Sequence, residues 1–108
     1  MATTNKVLGG VKPAGVTLTT LYTVPDATMA TATMFICNQS GIQDDTFDIE
    51  ILPSGQSDDD KWYIAKNSDI GKGTFMSATS FALNAGDSIK VLSHFGNCSF
   101  VITGLETV

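Results

Sequence analysis

Side chains along this sequence alternate between apolar and polar with a period of two, and this alternation constrains the fold more than any other feature. In the clearest segment, Phe47, Ile49 and Ile51 share one face of an extended chain. Asp48 and Glu50 fall on the other face. Successive side chains of a strand point to opposite sides, so this segment predicts a strand with a buried face and a solvated face. No long stretch keeps the apolar spacing of an amphipathic helix, and the chain is therefore predicted to be all-β.

Eight segments show this alternation or are rich in β-branched residues. They are Lys6–Val11, Thr17–Val24, Thr31–Asn38, Thr46–Leu52, Lys61–Ala65, Thr74–Leu83, Ser88–His94 and Cys98–Leu105. Glycine, proline, asparagine and aspartate stand between them, as turns require. Short strands separated by frequent turn signals predict an antiparallel two-sheet β-sandwich of about eight strands. Its topology is left open between jelly-roll-like and immunoglobulin-like.

The length of 108 residues and the mass of 11.4 kDa predict one domain, residues 1–108. The chain opens without the apolar stretch of a signal peptide and has no window long enough for a membrane helix, so neither secretion by that route nor a membrane position is expected. Residues 1–6 are polar enough to form an arm that contacts a partner chain. The arm residues are Met1, Ala2, Thr3, Thr4, Asn5 and Lys6.

The charge of the chain argues against binding to nucleic acid or to an anionic membrane. Six lysines, no arginine and eleven acids give a formal charge of −5, and the lysines form no basic patch. The acids cluster at Asp44–Asp45 and at Asp58–Asp60, which we interpret as solvated loop tips. A structural calcium ion at Asp58–Asp60 is a weaker alternative, because three consecutive side chains cannot all point at one ion.

No combination of residues in the sequence indicates catalysis, so we expect no enzyme, no cofactor and no metal. Cys37 and Cys98 are predicted to be free and buried. His94 is the only histidine and is expected to be half-buried. The glycine-containing segment Gly71–Thr74 lacks the rest of a phosphate-binding loop and is predicted to be a turn.

Trp62 and Tyr63 adjoin the aspartates and allow two interpretations. Aromatic rings beside carboxylates are typical of a sugar-binding platform. Trp62 also alternates with Ile64, which favours a place in the core.

Several short strings occur in a recognisable order along nearly the whole chain. They are Leu18–Pro25, Cys37–Asn38, Phe47–Ile49, Pro53–Gly55, Tyr63–Ala65, Leu83–Val91, Phe100, Gly104 and Glu106. In this combination the chain resembles small virion structural proteins of tailed bacteriophages, including phages of marine cyanobacteria. The resemblance implies a β-sandwich in a virion, assembled in the host cytoplasm, and no catalytic residue.

Three functions follow as hypotheses. The first is a decoration or minor capsid protein that binds the assembled shell as a homo-oligomer, with the major capsid protein or another virion protein as partner. The second is a tail- or fibre-associated module that recognises a host surface glycan, with Trp62 and Tyr63 as the contact residues and Tyr22 and Phe95 as further aromatic candidates. The third is a cellular β-sandwich binding module unrelated to virions.

Overall fold

The structure, a computed structural model, describes residues 2–108, including all of their side chains except those of Thr79 and Ser80. Eight strands and one short 3₁₀ helix follow one another along this part of the chain. They are β1 (Thr3–Val11), β2 (Thr19–Thr23), β3 (Met29–Asn38), β4 (Asp45–Leu52), η1 (Asp60–Trp62), β5 (Tyr63–Ile70), β6 (Phe75–Leu83), β7 (Ser88–Ser93) and β8 (Cys98–Thr107). The all-β prediction is confirmed.

The strands form two four-stranded antiparallel sheets. Sheet I has the order β1-β8-β3-β6, and sheet II has the order β2-β7-β4-β5. Strands pair as β1 with β8, β2 with β7, β3 with β6 and β4 with β5, which is a long two-stranded ribbon rolled up into a sandwich. Eight strands arranged in this way form a jelly roll, so the structure selects one of the two predicted topologies.

The core lies between the sheets and is built from the inward face of each strand. Met34 and Ile36 of β3, Ile49 of β4, and Phe100 and Ile102 of β8 are at most 1% exposed. Burying an aliphatic or aromatic side chain of this size stabilises the fold by about 1.5–3 kcal/mol. The predicted apolar face of β4 is therefore confirmed for Phe47 and Ile49.

Two acids predicted to be solvated are in fact buried. Asp48 is 5% exposed and Glu50 is not exposed, although both lie on the side of β4 opposite Phe47 and Ile49. The prediction was wrong because β4 is an inner strand of sheet II, and neighbouring segments cover its outer side. Asp48 accepts a hydrogen bond from the Asn67 backbone, and Glu50 lies against Asp58.

The predicted strand Lys61–Ala65 is displaced toward the C-terminus. Asp59 caps the turn η1 by accepting a hydrogen bond from the Lys61 backbone, so the strand begins only at Tyr63. It continues to Ile70 through two irregularities in its pairing with β4, and Asn67 adopts a positive φ of 51°. Such bulges let this polar stretch, which the sequence left outside the predicted strand, stay in the sheet.

Residues 3–6 of the predicted N-terminal arm belong to a strand of this chain, Met1 lies outside the described residues, and contact of residues 1–6 with a partner stays a prediction. Thr3–Val11 forms the edge strand β1 of sheet I, and Ala2 exchanges backbone hydrogen bonds with Val108. The Lys6 Nζ lies 2.8 Å from Glu106 Oε1, while the Tyr22 hydroxyl donates to the other oxygen of Glu106. Lys6 first, and then Tyr22, lower the pKa of Glu106. This linkage holds β1 to β8 and β2.

Candidate docking surfaces

Four loops meet at one end of the sandwich, which we call the loop end. They are residues 12–18, 39–44, 71–74 and 94–97, and they connect the two sheets. The Gln39 backbone donates to the Asn97 carbonyl over 3.0 Å. The Lys72 backbone donates to Asp44 Oδ1 over 2.9 Å. Hydrogen bonds between loops thus fix their relative positions, and the predicted turn at Gly71–Thr74 is confirmed.

Asp45 organises the loop end from the inside. It is 2% exposed, although the sequence predicts a solvated tip. Its oxygens accept hydrogen bonds from the Ser93 hydroxyl at 2.7 Å and from the backbone N–H groups of Thr46, Phe95 and Asn97. Burial would raise the pKa of Asp45, but these four donors outweigh burial and hold it below its usual value. The charged form is thus the one that the fold stabilises.

Asn38 fixes the neighbouring loop in a similar way. Its side-chain amide donates to the carbonyls of Gln43 and Ile70, and its amide oxygen accepts from the Ser40 backbone. Asn38 is 1% exposed, so water does not compete for these bonds. The loop 39–44 is therefore pre-organised by a buried side chain.

Three large apolar side chains project from these fixed loops, and we call them the apolar tips: Val16, Ile42 and Phe95. They are 66%, 90% and 52% exposed. Val16 has a positive φ of 56°, which is rare for a β-branched residue, and its N–H donates to the Ser93 carbonyl over 2.9 Å. Unusual backbone conformations in a fixed loop are typical of sites that contact a ligand or partner.

The opposite end of the sandwich carries most of the exposed negative charge. The segments there are 24–28, 53–62 and 84–87, joined by hydrogen bonds such as those from the Val24 and Ser54 backbones to Asp87. The acids of this acidic end are Asp26, Asp58, Asp59, Asp60 and Asp87. The loops of the loop end carry Lys12, Asp44 and Lys72. The two ends of the sandwich therefore differ in charge, although Lys61 lies among the acids of the acidic end.

The outward face of sheet I is a second unusual surface, which we call the uncharged face. Among the side chains that the structure describes there, none is charged. Its large apolar members are Val7, Met29, Phe35, Phe75, Val101 and Leu105. Its other members are threonine, serine, asparagine, alanine, glycine or cysteine. Lys6 and Glu106 belong to the same sheet, but they lie on its inner side and pair with each other.

A concave pocket of about 430 Å³ borders the uncharged face near the acidic end. Met29, Thr31, Ala82 and Leu105 belong to both the pocket and the face. A pocket at the margin of a flat apolar surface can receive a partner's side chain, and such anchors dominate the energy of many interfaces.

Trp62 at the end of η1 and Tyr63 at the start of β5 are half-buried, and Ile64 is exposed, so the expected place of Trp62 and Ile64 in the core was wrong. Lysines cover both aromatic rings. The Lys61 Nζ lies 5.1 Å from the Trp62 ring centroid, and the Lys66 Nζ lies 4.0 Å from that of Tyr63. A sugar that stacked on these rings would have to displace the two cations.

Glu50 and Asp58 bring two carboxyl groups together beside Tyr63. Both oxygens of Glu50 are buried and lack a hydrogen-bond donor while both acids are ionised. Burial first, and Asp58 next, raise the pKa of Glu50 to about 7. The pKa of Asp58 is lowered, first by its hydrogen bond with Glu50. A single proton shared by the pair accounts for both shifts.

The remaining candidates from the sequence lie apart from one another. Cys98 is buried and free as predicted, and burial raises its pKa to about 11. Cys37 is also free but exposed on the uncharged face, so its predicted burial was wrong. His94 is exposed rather than half-buried and packs edge-on against Phe95. Within residues 2–108, no acidic, histidine or cysteine side chains group in a way that could hold a metal ion, Asp58–Asp60 included.

Val16 and Ile42 are the apolar tips that sequence reasoning missed. Ile42 is a large aliphatic residue between Gly41 and Gln43 in a polar turn, and an isolated apolar residue of this kind is a signal that the sequence offered.

Comparisons with protein-family models, curated proteins and solved structures found no match to the chain. In the described residues, no helix has the length and hydropathy to cross a membrane.

Proposed function

We propose that this protein is a non-enzymatic virion structural protein of a tailed bacteriophage that decorates the outside of the assembled capsid. In this proposal the loop end binds the major capsid protein or another protein of the shell. The observation that carries the proposal is the set of three apolar tips, Val16, Ile42 and Phe95, on loops fixed by buried hydrogen bonds.

Pre-organised loops favour binding because they lose little freedom when a partner orders them. Asp45 holds the backbone of Phe95, and Asn38 holds the loop that carries Ile42. An exposed apolar side chain gains about 1–2 kcal/mol when a partner covers it fully. Three such anchors suit a moderate contact that is repeated over many equivalent sites of a shell.

The difference between the two ends of the molecule favours one orientation on a shell. The apolar tips project from one end, while Asp26, Asp87 and Asp58–Asp60 lie at the other. An acidic end that points into solvent keeps a decorated particle soluble, because the negative charges on neighbouring particles repel each other. This arrangement suits a protein that stands on a surface with its loop end down.

The fold class and the sequence resemblance support the same proposal by analogy. Jelly rolls recur in viral capsid proteins, but also in lectins and cupins, so the fold alone carries little weight. The strings that resemble phage virion proteins include Leu83–Val91, which forms the end of β6, a tight turn and most of β7.

The experiment is co-sedimentation of the purified protein with mature heads of the phage that encodes it. We expect saturable binding, weakened about tenfold or more by Ile42→Asp and by Phe95→Asp, because each change puts a charge at a desolvated anchor. The matched control is Ile64→Asp, at a residue that is 51% exposed on sheet II, and it should bind like the wild type.

Two other outcomes would redirect the proposal. Binding to tails or host cells only, abolished by Trp62→Ala or Tyr63→Ala, would support the glycan-recognition function instead. If Ile42→Asp and Phe95→Asp both leave binding to heads unchanged, the loop end is not the docking surface.

A further inference from the structure

We infer that the uncharged face binds a second copy of this chain, so that two molecules pack sheet I against sheet I as a two-fold dimer. The occupant is another copy because the face has the size, the charge distribution and the self-matching chemistry that such a dimer needs.

The area of the face matches a stable interface. Strands of nine or ten residues, such as β1, β3, β6 and β8, are about 30 Å long, and four strands span about 19 Å. The resulting area of about 600 Å² on each copy, or about 1,200 Å² in total, reaches the lower limit of a standard interface. The area on each copy is also about a tenth of the total accessible surface of 5778 Å². A shorter or narrower sheet would not supply this area.

The charge distribution permits contact between two copies of an acidic chain. Two molecules with a formal charge of −5 repel each other, but the described residues of the uncharged face contribute nothing to that charge. Asp48, Glu50 and Lys90 belong to sheet II. When sheet I packs on sheet I, the two copies of sheet II lie about 30 Å apart, which is several Debye lengths at physiological ionic strength.

The chemistry of the face matches itself. Threonine hydroxyls both donate and accept hydrogen bonds, so Thr31, Thr33 and Thr103 can pair with the same residue types of another copy. Phe35 and Val101 are cross-strand partners near the middle of the face, on β3 and β8. A two-fold axis between these two strands places Phe35 of each copy on Val101 of the other, as an isologous interface requires.

The direction of this axis rests on the proposed function. With the axis parallel to the strands, both loop ends point the same way, and six apolar tips face one shell surface. The two acidic ends then lie on the same side and repel each other, a cost that salt screens. With the axis across the strands, only one loop end could reach the shell. We therefore assign the parallel direction.

The first test is the mass of the purified protein in solution, measured by light scattering without any phage particle. At about 100 µM we expect twice the 11.4 kDa of one chain. Val101→Lys and Phe75→Lys should be monomeric, and Phe75 is 77% exposed, so that change should leave the fold intact. Ile64→Lys is the matched control and should remain dimeric.

A monomeric wild type, or a dimer that survives both Val101→Lys and Phe75→Lys, would overturn the inference. Because no shell is present, this failure is separate from failure of the decoration proposal.

The second test addresses the axis direction. Thr31→Cys is prepared in a Cys37→Ser chain and treated with a short bis-maleimide. The parallel axis runs between the neighbouring strands β3 and β8, so Thr31 of the two copies would lie about 11 Å apart. An axis across the strands at the level of Phe35 and Val101 would separate them by about 30 Å. We expect cross-linked dimers, and a dimer that does not cross-link would overturn the parallel direction.

Discussion

Glu50 and Asp58 form a carboxyl pair that joins the inner strand β4 to the segment covering it. Glu50 has no exposed surface, whereas Asp58 is exposed in the segment between β4 and β5. A hydrogen bond between two carboxyl groups needs a proton on one of them. The fold therefore raises the pKa of Glu50, through burial and through Asp58, in a place where the sequence predicts a solvated carboxylate.

This pair makes the stability depend on pH. Burial and Asp58 raise the pKa of Glu50 from 4.5 to about 7 in the folded state, so folded protein binds the proton more tightly than unfolded protein. The stabilisation is fully present below pH 4.5 and is lost as the pH rises through 7. We expect the free energy of unfolding, measured in urea, to fall by on the order of 2 kcal/mol between pH 4.5 and pH 8.

Glu50→Gln should remove this dependence, since its amide donates to Asp58 at every pH. The variant should be more stable than the wild type at pH 8. Asp60→Asn, which removes a charge from the same segment without touching the pair, is the control and should keep the wild-type slope. A Glu50→Gln variant with an unchanged slope would show that another group binds the proton.

Ile49→Asp tests the orientation of β4. Ile49 is 1% exposed, and an aspartate there buries an unpaired charge, which costs several kcal/mol and should prevent folding. Ile64→Asp, on the exposed side of β5, should fold and melt cooperatively in circular dichroism. A cooperatively melting Ile49→Asp protein would contradict the assigned orientation.

Gly86→Ala should destabilise the protein by two separable effects. Gly86 has a φ of +83°, and a Cβ there would lie 2.5 Å from the Ser54 hydroxyl oxygen. Gly55 has a φ of +79° with no atom within 4 Å of a Cβ, so Gly55→Ala isolates the cost of the backbone conformation, about 1 kcal/mol. In urea unfolding we expect Gly86→Ala to lower the free energy of unfolding by more than Gly55→Ala does. Adding Ser54→Gly to Gly86→Ala should remove this extra loss. If both alanine variants lower the free energy of unfolding equally, the Ser54 side chain moves away from the new Cβ at little cost.

Asp45→Asn tests the fixed loop end. An amide cannot accept from the Ser93 hydroxyl and three backbone N–H groups as a carboxylate does, so we expect a loss of about 2–3 kcal/mol. The pKa of Asp45 is lowered, so its stabilisation is present above 3.8 and is lost as the pH falls. Asp44→Asn, at an exposed acid, should cost less than 1 kcal/mol. Near-equal losses for the two variants would contradict a central role for Asp45.

The sequence was sufficient to predict most of the strands but not what covers them. Alternation with a period of two reports which side chains share a face, and it identified Phe47 and Ile49 as core residues. It cannot report that a distant segment folds over the other face, which is why the burial of Glu50 was missed. Asp45 was missed for the same reason, since three of its four donors, Ser93, Phe95 and Asn97, lie about fifty residues further along the chain.

The N-terminal residues show a different limit. A polar, threonine-rich segment such as Thr3–Lys6 suits a free arm or an edge strand equally well, because an edge strand needs no apolar face of its own. The pairing of β1 with β8 and the contact of Lys6 with Glu106 decide between these alternatives in three dimensions. The apolar tips likewise form one surface only because four loops that are distant in the sequence meet at one end of the sandwich.

The most direct test of the proposed function is the number of copies bound per purified, mature phage head at saturation. We expect a fixed copy number that is a simple fraction of the symmetry-related sites of the shell, with no comparable binding to tails. Heads that bind no protein, or a copy number that rises without saturation, would contradict decoration of the capsid.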